Sequence, residues 1–168
     1  MTVKTYSSTN QAECELTGFE FDDFELGVLA IARYFVLGFQ EPGSHAWRYG
    51  YSIAAERWGE TVGLSVAHGI QKIVRAAIEV RPANIKFRNP FCATSRLLAT
   101  QDEMVFLKVV HYMRRDQTPQ ARHQVDVFTH GSMDPHFIRA GLSFAARFSS
   151  GSKPQQQSFA QPRLAVVK

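Results

Sequence analysis

The residues best suited to chemistry are six histidines and two cysteines, and their spacing matches no common catalytic or metal-binding motif. His123 and His130 lie seven residues apart, which places them about 10.5 Å apart along a helix, too far for two ligands of one zinc ion. The motifs G-x-S-x-G, H-E-x-x-H and C-x-x-C and a Gly-rich phosphate loop are missing from the sequence. The sequence therefore favours a protein that is not an enzyme and has no catalytic residues, no metal site and no cofactor.

Cys92 follows Pro90 and Phe91, a position typical of a small, buried, structural cysteine. A helical enzyme or a metal- or haem-binding protein stays open as an alternative, in which the reactive group or ligand would be Cys92 or one of His45, His68 and His111. Cys14 and Cys92 alone do not make the cysteine-dense framework of a secreted domain, so we expect reduced thiols and a cytoplasmic location.

The net charge of +4 is distributed unevenly along the chain. Residues 1–60 hold four basic and nine acidic residues, a net charge of −5, whereas residues 61–168 hold 15 basic and six acidic residues, a net charge of +9. The basic part offers candidate contacts for DNA or for an acidic protein partner. These candidates are Lys86, Arg88, Arg114, Arg115, Arg122, His136 and Arg139.

Two hypotheses explain this asymmetry. In the first, the basic part binds phosphates, and the two helices expected around Gly131 form a helix-turn-helix-like corner with His136 and Arg139 near the start of the second helix. That helix is rich in Phe and Ala and has few polar groups to contact bases. In the second, the acidic N-terminal part folds over the basic part and neutralises it. The leading functional prediction is a small regulatory or adaptor protein that acts by protein–protein recognition, and a DNA-binding regulator is the alternative.

The elements that must position these residues form an all-α domain. A chain of 168 residues with 45% hydrophobic residues fits one domain, and its segments show helical rather than alternating periodicity. We expect a compact bundle of about six helices over residues 21–149, a flexible acidic segment over residues 1–20 with Phe19 and Phe21 as possible anchors, and a disordered tail over residues 150–168.

Capping residues and breakers set the expected helix boundaries. The first helix begins near Asp22 or Asp23, and the second begins at Ser44, ends near Gly59 and carries the apolar stripe Trp47, Tyr51, Ala54 and Trp58. A third helix follows from Thr61. Thr100 and Glu103 form a capping box before a fourth helix, Thr118 caps a fifth that ends at Gly131, and Asp134 caps the last. The expected inward residues of the fourth and fifth helices are Met104, Leu107, Val110, Ala121, Val125 and Phe128.

The most apolar segment, residues 26–39, does not predict a membrane span. It has 14 residues and contains Arg33, whereas a spanning helix needs about 20 apolar residues. We interpret it as a buried core helix and expect no membrane partner. Its apolar faces are also compatible with a homodimer interface.

Overall fold

The computed structural model describes residues 14–81, 85–92 and 98–151. Within these ranges the chain forms five α-helices: α1 (Asp23–Gln40), α2 (Trp47–Val80), α3 (Gln101–Arg114), α4 (Thr118–Phe128) and α5 (Pro135–Arg147). Two short strands, β1 (Cys14–Glu15) and β2 (Leu98–Ala99), pair antiparallel, and single 3-10 turns occupy Leu16–Gly18 and Pro42–Ser44. The predicted all-α class is confirmed, and the predicted number of helices is too high by one.

The difference in helix number arises at Gly59, where α2 bends sharply. Gly59 has φ 78° and ψ 157°, values outside the helical range. The Tyr51 hydroxyl donates to Gln71 Oε1 at 2.9 Å, although a straight helix would separate these residues by about 30 Å. The two arms of α2, residues 47–58 and 60–80, therefore fold back on each other. A Cβ atom on Gly63 would lie 2.1 Å from the carbonyl oxygen of Ala54, so only glycine permits this close approach.

Both α1 and α3 begin with a capping box. The sequence predicts the box of α3, whereas the box of α1 is found only in the structure. The Glu25 amide donates to Asp22 Oδ1 at 2.8 Å, and the Asp22 amide donates to Glu25 Oε2 at 3.0 Å. Thr100 and Glu103 exchange the same pair of bonds at 3.1 and 2.8 Å. Asp134 caps α5 through its side chain. In both boxes the glutamate is fully buried, which a capping role alone does not require.

Two predicted caps are wrong. Ser44 ends a 3-10 turn, where its hydroxyl donates to a backbone carbonyl, and the cap position of α2 is Ala46. Thr118 is the first residue of α4 and follows a cap residue, Gln117, that makes no side-chain cap bond. α4 also ends at Phe128, three residues earlier than predicted.

The core lies between α1, the second arm of α2, and the layer formed by α3, α4 and α5. Every inward residue predicted for α3 and α4 is buried. The stripe predicted for the first arm of α2 is only partly correct, because Ala54 is buried while Trp47 is 46% exposed. Among the described residues, none of the helices combines the length and the apolar character needed to cross a membrane.

Candidate functional site

A buried charge cluster, which we call the Glu25 cluster, joins the start of α1 to the end of α3. Glu25 is 0% exposed. Its Oε1 accepts from Arg114 Nη1 at 2.7 Å and from Arg115 Nη1, and its Oε2 lies 3.0 Å from His111 Nδ1. Asp22 accepts from Arg114 at 2.8 Å and from Arg115 at 3.3 Å. Two carboxylates thus neutralise two guanidinium groups inside the fold, where an unpaired charge would be costly.

The pKa of Asp22 reflects this environment. Burial alone would raise the pKa of this carboxyl group, but the bond from the Glu25 amide and the nearby Arg114 and Arg115 charges outweigh burial, so the pKa lies below its ordinary value. Asp22 is therefore ionised at neutral pH, and the ion pairs of the cluster are intact there.

A second buried cluster centres on Glu103, which is also 0% exposed. Arg33 binds it through two bonds, from Nε to Oε1 at 2.7 Å and from Nη2 to Oε2 at 3.1 Å. The amides of Arg88 and Thr100 also donate to Glu103, each at 2.8 Å. Arg33 further donates to the Leu98 carbonyl oxygen at 2.8 Å, which ties α1 to β2. This charged pair fastens three segments of the chain to one another.

The loop before α3 is fastened at a third point. Asp102 accepts from Arg81 Nη1 at 2.9 Å and from the Lys86 amide at 2.8 Å. The Thr100 hydroxyl donates to the Lys86 carbonyl oxygen at 2.5 Å. The backbone of the loop is thereby held against the start of α3, while the Lys86 side chain is exposed.

The structure does not bring the seven predicted basic-site residues together on one open surface. The Arg114 side chain is only 6% exposed and the Arg115 side chain 23%, and both are ion-paired in the Glu25 cluster. The acidic start of α1 thus already engages the guanidinium groups of these two residues, and their contact with DNA or with an acidic partner stays a prediction. The others lie elsewhere: Lys86 and Arg88 in the loop before α3, Arg122 on α4, and His136 and Arg139 on α5.

One face of α5 keeps exposed basic groups. His136, Arg139, Ser143 and Arg147 follow each other at spacings of three, four and four residues, which places them on one side of the helix, and all are exposed. The helix itself contains no acidic residue, and Asp134, the residue directly before it, caps its first turn. By sequence this helix is rich in Phe and has few polar groups to contact bases. Phe137 and Phe144 lie on the buried side of the helix, opposite this exposed face.

The cysteine and histidine environments differ from expectation in one case. Cys92 is exposed, which contradicts the expected buried position. His111 is buried beside Glu25, and the other five histidines are exposed. Across residues 14–81, 85–92 and 98–151, no group of three or more His, Cys, Asp or Glu side chains is arranged to hold a metal ion.

Three rings form a cluster that we call the aromatic triad: the half-buried Tyr34 of α1, and the exposed Tyr49 of α2 and Phe91 of the loop before α3. The ring centroids are 6.0 Å apart for Tyr34 and Tyr49, 5.4 Å for Tyr34 and Phe91, and 5.3 Å for Tyr49 and Phe91. Tyr49 is 52% exposed and Phe91 53% exposed. Trp47 and Phe39, also exposed, lie near this end of α1, since the Trp47 backbone closely approaches the residue before Phe39. Large exposed apolar side chains thus occur both in the triad and near the end of α1.

An apolar groove of about 510 Å³ adjoins the aromatic triad. Tyr34 belongs to both features, and Pro90, which lines the groove, directly precedes Phe91. The remaining lining residues come from the segment before α1, from α1 and from the first arm of α2; they include Phe19, Phe21, Leu26, Leu29 and Ile53. A smaller cavity of about 220 Å³ lies between α3, α4 and α5.

The segment that precedes α1 is held in place by aromatic contacts. The Phe19 and Phe21 rings pack edge-on against His111, with centroids 5.0 and 5.7 Å apart, and Lys108 Nζ lies 5.1 Å from the Phe19 ring centroid. The prediction that these two phenylalanines anchor the N-terminal segment is confirmed for residues 14–21; residues 1–13 lie outside the described residues. One wall of the groove is therefore fixed to α3, next to the Glu25 cluster.

Sequence patterns did not indicate the aromatic triad. Tyr34 falls in a helix that is apolar on nearly every side, and Phe91 falls in the irregular segment before Thr100, so neither position has a periodic signal that would mark it as exposed. Comparison with models of known protein families, with curated proteins and with solved structures found no match for this chain.

Proposed function

We propose that this protein is a non-enzymatic recognition module that binds another protein through the aromatic triad and the apolar groove beside it. The observation that carries the proposal is the exposure of Tyr49 and Phe91, each more than half exposed while in contact with each other and with Tyr34. Contiguous exposed apolar patches mark interaction surfaces, and aromatic side chains supply much of the binding energy at protein interfaces.

The buried ionisable groups support recognition rather than catalysis. Glu25 and Glu103 are the most enclosed carboxylates among the described residues, and each accepts several hydrogen bonds from neighbouring chain segments. A group that acts on a substrate must be reachable from a cleft. These carboxylates have no such access, and Glu103 instead binds Arg33, beside Tyr34, and the backbone of the loop that carries Phe91.

Photo-crosslinking tests the proposal. A photoreactive phenylalanine analogue at position 91 is expected to crosslink to protein, and the same analogue at Leu142, which is 52% exposed on α5, is expected to crosslink far less. Tyr49→Lys should suppress the crosslink from position 91, because it places a charge in the middle of the apolar surface. Equal crosslinking from both positions, or none from position 91, would refute the proposal.

The exposed face of α5 favours a second candidate function, contact with the phosphates of DNA. The Arg139 and Arg147 side chains are exposed, and α5 itself contains no acidic residue to neutralise them. A duplex titration at low salt tests this candidate, because the phosphate contribution is strongest there. Replacing both arginines with glutamine should lower the salt slope by about one per lost phosphate contact, whereas Arg48→Gln should leave it unchanged. The absence of binding at low salt would remove this candidate.

A further inference from the structure

The smaller cavity, of about 220 Å³ between α3, α4 and α5, is polar at one end. Asp116, Gln117 and Thr118 line it from the turn that leads from α3 into α4, and Arg122 lines it one helical turn further along α4. All four side chains are exposed. Water therefore reaches this end of the cavity, and a charged group placed there is not stripped of its hydration.

The opposite end of the cavity is apolar. Val125, which is buried, follows Thr118 by seven residues, about 10.5 Å further along α4. Met133 lines the cavity from the turn between α4 and α5, and Ile138 and Leu142 line it from α5. The cavity thus changes from polar to apolar along α4.

Both turns that close the cavity contain a residue with a left-handed backbone. Asp116 has φ 54° and Met133 has φ 46°, and within the described part of the chain they are two of four non-glycine residues with positive φ. Such conformations cost free energy and concentrate at ligand clamps and active sites. The buried Thr129 holds the second turn: its hydroxyl donates to the Val125 carbonyl oxygen at 2.8 Å and accepts from the Met133 amide at 3.1 Å. The apolar end is therefore formed before any ligand binds.

We propose that this cavity binds a small amphipathic carboxylate of the medium-chain fatty acid type, with the carboxylate beside Arg122 and the alkyl chain directed towards Met133. An apolar cavity that stays empty costs stability, and an alkyl chain would fill it. At the polar end, Arg122, Gln117 and Thr118 can all donate hydrogen bonds, whereas the Asp116 carboxylate can only accept them. A head group that accepts hydrogen bonds and carries a negative charge matches the three donors.

The size of the cavity limits the ligand. Sites for drug-sized molecules measure about 300 to 1,000 Å³, so a cavity of about 220 Å³ fits a smaller molecule. Among the described residues, this cavity shares no lining residue with the apolar groove beside the aromatic triad. The inference therefore does not rest on the proposed function, and either can fail without the other.

Titration of the full chain with octanoate, followed by the amide signals in two-dimensional NMR, tests the site. Signals of residues 116–125 are expected to shift, and those of Tyr34 and Tyr49 are expected to stay in place. From hexanoate to octanoate the affinity should rise about fourfold for each CH2 group that becomes buried. Octan-1-ol, which lacks the charge, should bind about two- to fivefold more weakly than octanoate, the range expected for an ion pair at an exposed arginine.

Two pairs of variants test the two ends of the cavity. Ala121→Leu places a larger side chain in the cavity and should weaken octanoate binding at least about tenfold, equivalent to about two buried CH2 groups, whereas Ala146→Leu, at an exposed position on α5, should not. Arg122→Gln should remove the preference for octanoate over octan-1-ol, and Arg139→Gln, which lowers the net charge equally, should retain it. Asp116→Asn should strengthen octanoate binding, because it removes a like charge.

Three results would overturn the inference: no shift with octanoate up to about 10 mM, a concentration that detects millimolar Kd values; shifts confined to the apolar groove; or equal affinity for hexanoate and octanoate. Equal affinity for octanoate and octan-1-ol in wild type would overturn the assignment of a carboxylate. Circular dichroism verifies that the variants are folded. The chain-length series on wild type decides the question even if Ala121→Leu is not folded, since it depends on no substitution.

Discussion

Glu25→Gln should destabilise the fold strongly, because the buried carboxylate of Glu25 balances more than one cation. Its Oε1 accepts from Arg114 and Arg115, and its Oε2 accepts from the Asp22 amide and lies 3.0 Å from His111 Nδ1. A glutamine amide NH2 must replace one of these oxygens, so it faces either the two guanidinium donors or the Asp22 amide donor. Removing one partner of a buried ion pair costs about 3 to 5 kcal/mol. Because Arg114 keeps its bonds to Asp22 and to a backbone carbonyl, we expect about 3 kcal/mol.

Urea unfolding measures this loss. Helix content followed by circular dichroism, with the fluorescence of Trp47 and Trp58 as a second probe, should show a lower midpoint and an unchanged slope. At this chain length the loss corresponds to a fall in Tm of about 10 °C. Glu60→Gln is the matched control, since Glu60 is exposed on α2, and it should change stability by less than about 0.5 kcal/mol. A loss in Glu25→Gln of less than about 1 kcal/mol would refute the assignment of Glu25 as the balancing charge of this cluster.

Three further changes test the cluster edge, the α2 bend and the α3 cap. The pKa of Asp22 is lowered in the folded state, so its contribution to the stability of the fold is present above the unfolded pKa and is lost as pH falls through the folded value. Asp22→Asn keeps the cap and should cost about 1 kcal/mol of stability at about pH 7, after allowance for the partial exposure of the side chain. In a urea-unfolding series the difference from wild type should vanish at strongly acid pH. Gly63→Ala should cost about 3 kcal/mol in thermal unfolding, since its methyl group would overlap a carbonyl of the first arm of α2, whereas Gly43→Ala, with no atom near its Cβ position, should be nearly neutral. Thr100→Ala should lower stability by about 1 to 2 kcal/mol, and Thr100→Ser, which retains the hydroxyl that accepts from the Glu103 amide, should recover most of it; equal losses in both would contradict the capping role.

Local signals in the sequence predicted the helices of this fold well where backbone capping decides the outcome. Asp22, Thr100 and Asp134 each satisfy an orphan amide of the helix that follows, and this requirement depends only on residues within one turn. Ser44 failed as a predicted cap because a 3-10 turn already engages its hydroxyl. Trp47 failed as a predicted core residue because helical spacing alone does not specify which side of the first arm of α2 meets the core.

The candidate site was beyond prediction for a different reason. The aromatic triad joins α1, the first arm of α2 and the loop before α3, three segments whose mutual packing no periodic pattern in the sequence specifies. The sequence predicts that a helix ends at Gly59, but it does not predict in which direction the following helix leaves the bend. From the sequence, Phe91 is a residue of an irregular segment beside a cysteine expected to be buried. In the structure the backbone of that segment is bound to Asp102 and Glu103, Phe91 packs against Tyr34 and Tyr49, and Cys92 is exposed.

The uneven charge of the chain has a structural explanation that changes where binding should be sought. The acidic part of the sequence supplies Asp22 and Glu25, and the basic part supplies Arg114 and Arg115, so two of the seven candidates for phosphate contact hold α1 against α3 through ion pairs. A net charge counted along the sequence treats these guanidinium groups as available, but in the fold they are already paired with the carboxylates of Asp22 and Glu25. The field that remains for a polyanion comes from groups such as those on the exposed face of α5, while the aromatic triad exposes two large apolar side chains, Tyr49 and Phe91. For this reason, substitutions at Phe91 should be compared with substitutions at Arg139 and Arg147. The comparison distinguishes binding of a protein from binding of phosphates more sharply than any measurement of overall charge.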